Sequence, residues 1–289
     1  RVTLATSGEA TPRIGFHRHD RPGQVFDLVH CEIAAPELMA LWTAVRAHRA
    51  LLPPALDRVT LRVDRRGGRH LLLHASAPKA WSGGPALHEG LVAAGQEAVI
   101  WWQPPEGAAR VVAGAREAFP ATVFEQVHPA MGDRARAYAV ARLGAESGDR
   151  VWDLYAGIGE TTALLREAGA EVESVEADRR AVDLAGGGPE SRPEPGVRRH
   201  VGLVEQVLPR LGPADLVVVN PPRTGLADGV AEGIAASGVR RVVYVSCDPA
   251  TLARDLTRFG PGWRVTECRA FDLFPQTAHV ETVVTVERA

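Results

Sequence analysis

A cysteine serves as a nucleophile where its thiol is reachable and its thiolate is stabilised, and Cys247 stands in a segment suited to both. Val242-Val243-Tyr244-Val245 is a continuous apolar run, expected of a strand buried on both faces, and Ser246-Cys247-Asp248-Pro249 ends it. Asp248 reads as the N-cap of a helix over residues 249–259. The thiol is therefore expected at the C-terminal edge of a sheet and beside a helix N-terminus, which lowers a thiol pKa. Cys268 falls inside a later strand and reads as a small core residue. A carboxylate, Glu281, and an imidazole, His279, close the segment Phe274-Pro275-Gln276-Thr277-Ala278-His279-Val280-Glu281. This segment joins the last two strands and returns to the edge that carries Cys247. Glu281 is there either as a solvated strand-start carboxylate or as a functional one.

A second group of residues suits a nucleoside cofactor. In Asp153-Leu154-Tyr155-Ala156-Gly157-Ile158-Gly159-Glu160 a strand ends in an acidic residue, and a turn with two glycines opens a helix. Small residues at such a turn let a ligand approach the main chain closely. Glu176 follows Gly157 by 19 residues, at the end of the next strand, where a carboxylate can accept from both ribose hydroxyls. A dinucleotide site would want a third glycine where Thr162 stands, so S-adenosylmethionine fits better than NAD. Asn220-Pro221-Pro222-Arg223 ends another strand; its prolines remove backbone donors and fix an extended loop, which puts Asn220 at the same edge.

These residues need elements to hold them. From residue 119 onward helices and strands alternate: a helix over 129–143, strand 150–155, helix 160–167, strand 171–175, helix 179–185, strand 198–201, helix 204–211, strand 215–219, helix 228–236 and strand 241–246. The alternation predicts a doubly wound, mostly parallel α/β sheet. The final strands, 263–271 and 280–287, have no helix between them and must form an antiparallel hairpin. That combination resembles the Rossmann-like architecture of class I methyltransferases. Residues 1–118 read as a separate α+β domain, with strands near 60–63, 70–73, 99–102 and 110–112 and a helix over 36–48. Residues 119–289 form the catalytic domain. Trp101-Trp102 could stack on bases, but core packing is the simpler reading.

The chain has 289 residues, 45% of them hydrophobic, and no apolar run of the roughly 20 residues that a membrane span needs. A net charge of −2 does not announce a nucleic-acid binder, yet residues 1–70 carry eleven Arg against seven Asp and Glu, a local surplus of +4. Three scattered cysteines argue against a disulfide framework and for a reducing, cytoplasmic setting. Arg1 rather than Met opens the chain, and further residues are expected upstream.

Together these motifs resemble the RNA uracil-C5 (m5U) methyltransferase family, which modifies tRNA or rRNA. Residues 243–255, Val-Tyr-Val-Ser-Cys-Asp-Pro-Ala-Thr-Leu-Ala-Arg-Asp, are similar to the family's nucleophile motif, and residues 272–281 to its C-terminal motif. The resemblance implies that Cys247 is the nucleophile and Glu281 the base. It implies that Gln126, in Phe124-Glu125-Gln126-Val127, contacts S-adenosylmethionine, with Tyr155, Gly157, Glu160, Glu176 and Asn220 completing the cofactor site. Structured RNA is the implied partner, with no membrane and no obligate protein partner.

The sequence departs from the family pattern in places. Asn220 stands where the family has Asp, Asp248 where it has Asn, and His128 where Asn is common. Some members hold an iron–sulfur cluster on four cysteines. Cys31 resembles the last of these and its partners are not in this chain; either they lie upstream of Arg1 or the cluster is absent, and these 289 residues are expected to hold none by themselves. Two other readings share part of the pattern. An amino-group methyltransferase, acting on adenine or glutamine nitrogen, uses an Asn-Pro-Pro-aromatic loop but needs no thiol, and Arg223 takes the aromatic's place. A catalytically silent RNA-binding protein would need neither Cys247 nor Glu281.

Overall fold

The computed structural model describes residues 1–9, 12–78, 81–115, 126, 128–188 and 191–289. They fall into two compact units, Arg1–Thr122 and Val123–Ala289.

The first unit contains β1 (Val2–Thr6), β2 (Ile14–Gly15), α1 (Pro36–Ala47), β3 (Leu56–Val63), β4 (Arg69–Ala75), α2 (Gly84–Ala93), β5 (Val99–Gln103) and β6 (Arg110–Ala113). Its sheet has the order β2-β1-β3-β4-β5-β6. Every pair is antiparallel except β4–β5, whose parallel pairing requires the crossover that α2 supplies. Alternate strand residues such as Val59, Leu61, Leu71 and Leu73 meet Leu41, Trp42 and Val45 of α1 and Leu87 and Leu91 of α2. The helix α2 is not legible in the sequence, because Gly84, Pro85 and Gly90 weaken its propensity; burial of Leu87 and Leu91 sets it instead. Trp101 and Trp102 are both buried. The Trp101 indole donates to His70 Nδ1 at 3.1 Å, and His70 Nε2 lies 2.7 Å from Asp64, so this polar group inside the unit is satisfied.

The second unit contains α3 (Pro129–Leu143), β7 (Arg150–Leu154), α4 (Glu160–Glu167), β8 (Glu171–Glu176), α5 (Arg179–Val182), β9 (Val197–Val201), α6 (Val204–Val207), β10 (Leu216–Val219), α7 (Val230–Ala236), β11 (Arg241–Ser246), α8 (Pro249–Arg258), β12 (Trp263–Phe271) and β13 (Glu281–Arg288). The strand order is β12-β13-β11-β10-β7-β8-β9. Strands β11 through β9 run parallel, and β13 inserts antiparallel between β11 and β12. The apolar runs divide between two cores, as strands covered on both faces require. Val217, Val219, Val242 and Tyr244 pack with α7 and α8, while Leu216, Val218, Val243 and Val245 pack with Ala135, Ala139 and Leu143 of α3.

Several helices are shorter than the sequence pattern predicts. The expected helix over 179–185 stops at Val182 and passes into a wide turn in which Gly186 has φ 87°. The expected helix over 204–211 tightens after Val207, where Pro209 cannot donate to an α-helical ladder. Cys268 is exposed, contrary to the core position expected of it. It lies on β12, which has only one strand neighbour, and a register shift between Val265 and Glu267 interrupts the alternation of faces.

Candidate active site

The C-terminal edge of the second sheet gathers the chemistry. Strand β11 pairs with β13 as far as Ser246↔Thr282, so Cys247, which follows β11, and Glu281, which opens β13, leave that last pair on the same side of the sheet. The charge of Glu281 acts on the Cys247 thiol. Strand β10 lies on the other side of β11, so the Asn220 loop begins at the same edge.

Glu281 is buried, with 2% of its surface exposed, and its Oε2 has no hydrogen-bond partner. Burial away from any donor pushes its pKa up to about 7. A carboxylate in water is ionised well below neutrality, whereas this one is poised near it, where a general base works best. Sequence reasoning left open whether Glu281 is solvated, and the structure settles its burial.

Cys247 is partly exposed. Its thiol pKa is raised rather than lowered, first by burial and then by the charge of Glu281, with the nearby Arg223 guanidinium opposing both. The expected lowering by the helix N-terminus is outweighed by burial and the Glu281 charge. Asp248 Oδ1 already accepts from the Ala250 and Thr251 N–H groups, at 3.0 and 2.9 Å. The carboxylate that caps α8 takes the donors and offsets the positive end of the helix. Those same bonds hold the Asp248 carboxyl below its usual range.

Two strands along the sheet from β11, at the end of β7, Tyr155 takes a left-handed backbone conformation, φ 62°, which a bulky residue adopts only when its surroundings impose it. Its hydroxyl accepts from the Ala227 N–H at 3.4 Å, and it packs with Leu226 and Ala227. Gly157 follows at φ 56° with open space where a Cβ would stand, and Gly159, φ 77°, caps α4. Beneath them Asp153 is buried, accepts from the Thr162 hydroxyl at 2.5 Å, and is pushed up to about 6 by desolvation. Glu176 Oε2 accepts from Gly157 N–H at 2.9 Å, and Oε1 from Asp178 N–H at 2.8 Å. Glu160 pairs with Arg136 of α3. A cavity of about 630 Å³ opens beside this turn, lined among others by Tyr155, Leu203, Glu205, Pro222, Leu226 and Arg254. A second cavity of about 400 Å³ lies among Arg150, Glu171 and Arg198, at the opposite edge of the sheet from Cys247.

The open side of Gly157, the Glu176 carboxylate and the positive-φ turn fit a nucleoside with an amino-acid tail. Of Phe124-Glu125-Gln126-Val127 only Gln126 lies among the described residues. Its stem passes so close to Gly132 that a Cβ there would meet Gln126 Cβ at 2.9 Å. His128, in place of the family's Asn, caps α3 through Nδ1 at 3.3 Å from Met131 N.

Sequence reasoning missed Asp255. It is wholly buried and accepts from Leu226 N–H at 2.7 Å, Tyr244 Oη at 2.8 Å, and both Nε and Nη2 of Arg254 at 3.0 and 2.8 Å. The visible signal was an acidic residue on a helical face otherwise occupied by Leu252 and Phe259. The role of Arg223 against the thiol was likewise not anticipated. Among the described residues no group of three or more His, Cys, Asp or Glu could hold a metal ion, and no helix is long and apolar enough to cross a membrane.

A parallel sheet ending in the β12–β13 hairpin, with a glycine turn and strand-end carboxylate at its C-terminal edge, defines a class I, S-adenosylmethionine-dependent methyltransferase. Comparison with known proteins narrows the class. The family model described as tRNA (Uracil-5-)-methyltransferase matches residues 199–289. An RNA methyltransferase of Streptomyces avermitilis is 33% identical over all of this chain and 67% of its own length. The 23S rRNA (uracil(1939)-C(5))-methyltransferase of Thiobacillus denitrificans is 30% identical over 95% of this chain and 68% of its own. The chain spans about two thirds of the length of these relatives. The crystal structure of Pyrococcus abyssi tRNA (uracil-54, C5)-methyltransferase, in complex with S-adenosyl-L-homocysteine, shares the fold with a TM-score of 0.71 at 19% identity, over 99% of this chain and 74% of that one. The chain belongs to the RNA uracil-C5 methyltransferase family.

Proposed function

We propose that this chain methylates C5 of a uridine in structured tRNA or rRNA, through a covalent adduct between Cys247 and C6 of the base. The observation that carries the reading is Glu281: a buried carboxylate with an unpartnered oxygen, pushed up to about 7, whose charge acts on the Cys247 thiol. C5 of uracil is too weak a nucleophile to react unaided. Cys247 adds as thiolate to C6, and the C5=C6 electron pair moves towards O4 as an enolate that makes C5 nucleophilic. S-adenosylmethionine, when bound, supplies the electrophilic methyl group that C5 takes up. Glu281 Oε2 then removes the proton left on C5, the C5=C6 bond reforms, and the C6–S bond breaks to return the thiolate. Arg223 favours the thiolate before addition and again as leaving group.

Gln126, Tyr155, Gly157, Glu160, Glu176 and Asn220 would hold the cofactor, Glu176 through the ribose hydroxyls and Gly157 by admitting close approach. The target uridine must leave its stack to reach Cys247, at a cost of a few kcal/mol that favours loop positions. Residues 119–289 supply the reaction, and residues 1–118, with their local surplus of arginine, contact the RNA backbone. Such an enzyme works in the cytoplasm. The test is RNA carrying 5-fluorouridine. Fluorine cannot leave C5 as a cation, so the enzyme and the cofactor should yield a protein–RNA species that survives a denaturing gel. No such species, with methylation of ordinary RNA intact, would exclude the covalent route.

A further inference from the structure

Strand β11, helix α8 and the loop that follows β10 are tied into one closed circuit. Helix α8 starts immediately after Cys247 and Asp248, and its first two turns carry Arg254 and Asp255 to the underside of the 220–226 loop. Asp255 Oδ2 accepts from the Leu226 N–H at 2.7 Å, and Arg254 Nη2 donates to Thr224 O at 2.8 Å. Gly225, φ 81°, lies between the two held residues, and a Cβ there would come within 2.4 Å of Asp255 Oδ2. No larger residue could let the loop lie so close to the carboxylate. The same carboxylate oxygen accepts from Tyr244 Oη at 2.8 Å, and Tyr244, wholly buried, is three residues before Cys247 on β11. Arg223 directly precedes the clamped stretch, and its positive charge acts on the Cys247 thiol. The path therefore leaves Cys247 through α8, crosses Asp255 to the loop, and returns through Arg223 to Cys247.

We propose that Asp255 is a positioning residue that clamps the 224–226 stretch to α8 and so sets the Arg223 guanidinium against the Cys247 thiol. It touches neither base nor cofactor in this assignment and acts through Arg223. The proposal deepens the covalent reading of Cys247, but its geometry can be tested without any methyl transfer.

The readout is the pH profile of Cys247 alkylation by iodoacetamide, followed on the Cys247 peptide by mass spectrometry so that Cys31 and Cys268 do not contribute. Among the described residues the charged groups acting on this thiol are Glu281 from β13 and Arg223 from the loop; Asp248 follows it in the chain, and His279 acts on Asp248. Two origins of a change predict opposite signs. Deleting a carboxylate charge by Asp255→Asn acts directly by favouring the thiolate, which speeds alkylation. Release of Arg223 disfavours the thiolate and slows it. The proposal expects slowing, on the order of threefold or more at pH 7.5 for a half-unit rise in a thiol that titrates above that pH.

Arg223→Gln should slow alkylation by a similar factor, and the double variant should be no slower than Arg223→Gln alone, because both changes remove one interaction. Should Asp255→Asn not fold, Arg254→Gln serves instead: its half-exposed side chain gives up the tie to Thr224 and its bonds to Asp255 Oδ1, while Asp255 Oδ2 keeps the Leu226 N–H and the Tyr244 hydroxyl, and it should slow alkylation in the same direction. Alkylation unchanged or faster in folded Asp255→Asn or Arg254→Gln, with Arg223→Gln slow, would overturn the clamp. Alkylation unchanged in Arg223→Gln would overturn it as well. Loss of the 5-fluorouridine adduct with the alkylation pattern intact would instead count against the covalent mechanism and leave the clamp standing.

Discussion

Two carboxylates of the second unit are almost equally hidden from solvent and are built for opposite ends. Asp255, on α8, is wholly buried and accepts from a backbone amide, a tyrosine hydroxyl and an arginine, which together hold its carboxyl below the usual carboxylate range. Glu281, at the start of β13, is 2% exposed, has an oxygen with no donor, and is pushed up to about 7. Burial is common to both, so burial does not separate a structural carboxylate from a reactive one. The number of donors does. A saturated carboxylate is fixed as an anion and braces what it touches, whereas an unsaturated one keeps a lone pair available and can change protonation during a reaction.

The largest effects should come from breaking the reactive side of this contrast. Cys247→Ala should bring methylation below detection and abolish the 5-fluorouridine adduct, since no enolate forms without the thiolate. Glu281→Gln should slow turnover by about 10²–10⁴-fold, the range for losing a positioned general base. Its addition step survives, so the protein should accumulate bound to methylated RNA and run as a retarded band under denaturing conditions. Normal turnover by Glu281→Gln would pass the role of base to His279 or water. Full activity in Cys247→Ala would end the uridine-C5 reading and favour methyl transfer to an amino group.

The braced side should respond in stability. Asp255→Asn leaves buried donors without an anionic acceptor, and chemical denaturation should show a loss of about 3–5 kcal/mol, the scale for breaking one partner of a buried charged network. A loss below about 1 kcal/mol would mean that solvent reaches the site and that the contrast with Glu281 is false.

Glu281→Gln should have the opposite sign. The folded pKa of about 7 lies above the ordinary 4.5, so the native state holds a proton that the unfolded chain has already lost between those values. Stability is then fully present below pH 4.5, falls as pH rises towards 7, and stays reduced above it. The full penalty is about 3 kcal/mol, and Glu281→Gln, which cannot ionise, should recover most of it at pH 8 and almost none at pH 4.5. Parallel melting curves at the two pH values decide. An equal effect at both would place the carboxylate in solvent. The same titration should make activity rise with pH through about 7, in the direction that the raised thiol also dictates.

The contrast also shows which parts of the molecule a sequence can disclose. Apolar runs at Val217–Val219 and Val242–Val245, glycines at 157 and 159, and the missing helix between 271 and 281 made the second sheet and its hairpin readable, because each reports a local geometric demand. Cys247 and Glu281 were singled out by the motifs around them. Their electrostatics were not readable. Whether Glu281 meets a donor, or whether Asp248 spends the helix end that would activate Cys247, depends on contacts made across the fold. Asp255 was hidden for the same reason, as its partners lie on a loop and a strand 29 and 11 residues away. In the first unit, β1 and α2 went unread because their sequences are weakly patterned and tertiary burial forms them.

Glu176 falls between the two extremes, and it supplies the smallest and most discriminating test. It is partly buried, and each of its oxygens already accepts one backbone N–H, from Gly157 and Asp178. A carboxylate oxygen has two acceptor sites, so one on each remains for a ribose hydroxyl. Those backbone bonds aim the carboxylate without saturating it, so it is braced like Asp255 and open like Glu281. Glu176→Ala should weaken S-adenosylmethionine by roughly 1–3 kcal/mol in calorimetry, the range for hydrogen bonds to a charged partner. Glu176→Gln should fall in between, because its Oε1 still accepts one hydroxyl while its amide now opposes a backbone N–H. Equal affinity for Glu176→Ala and the unchanged chain would confine Glu176 to bracing the turn. An affinity loss accompanied by an equal loss for adenine alone would also count against ribose recognition, since a ribose contact should spare a ligand that lacks the sugar.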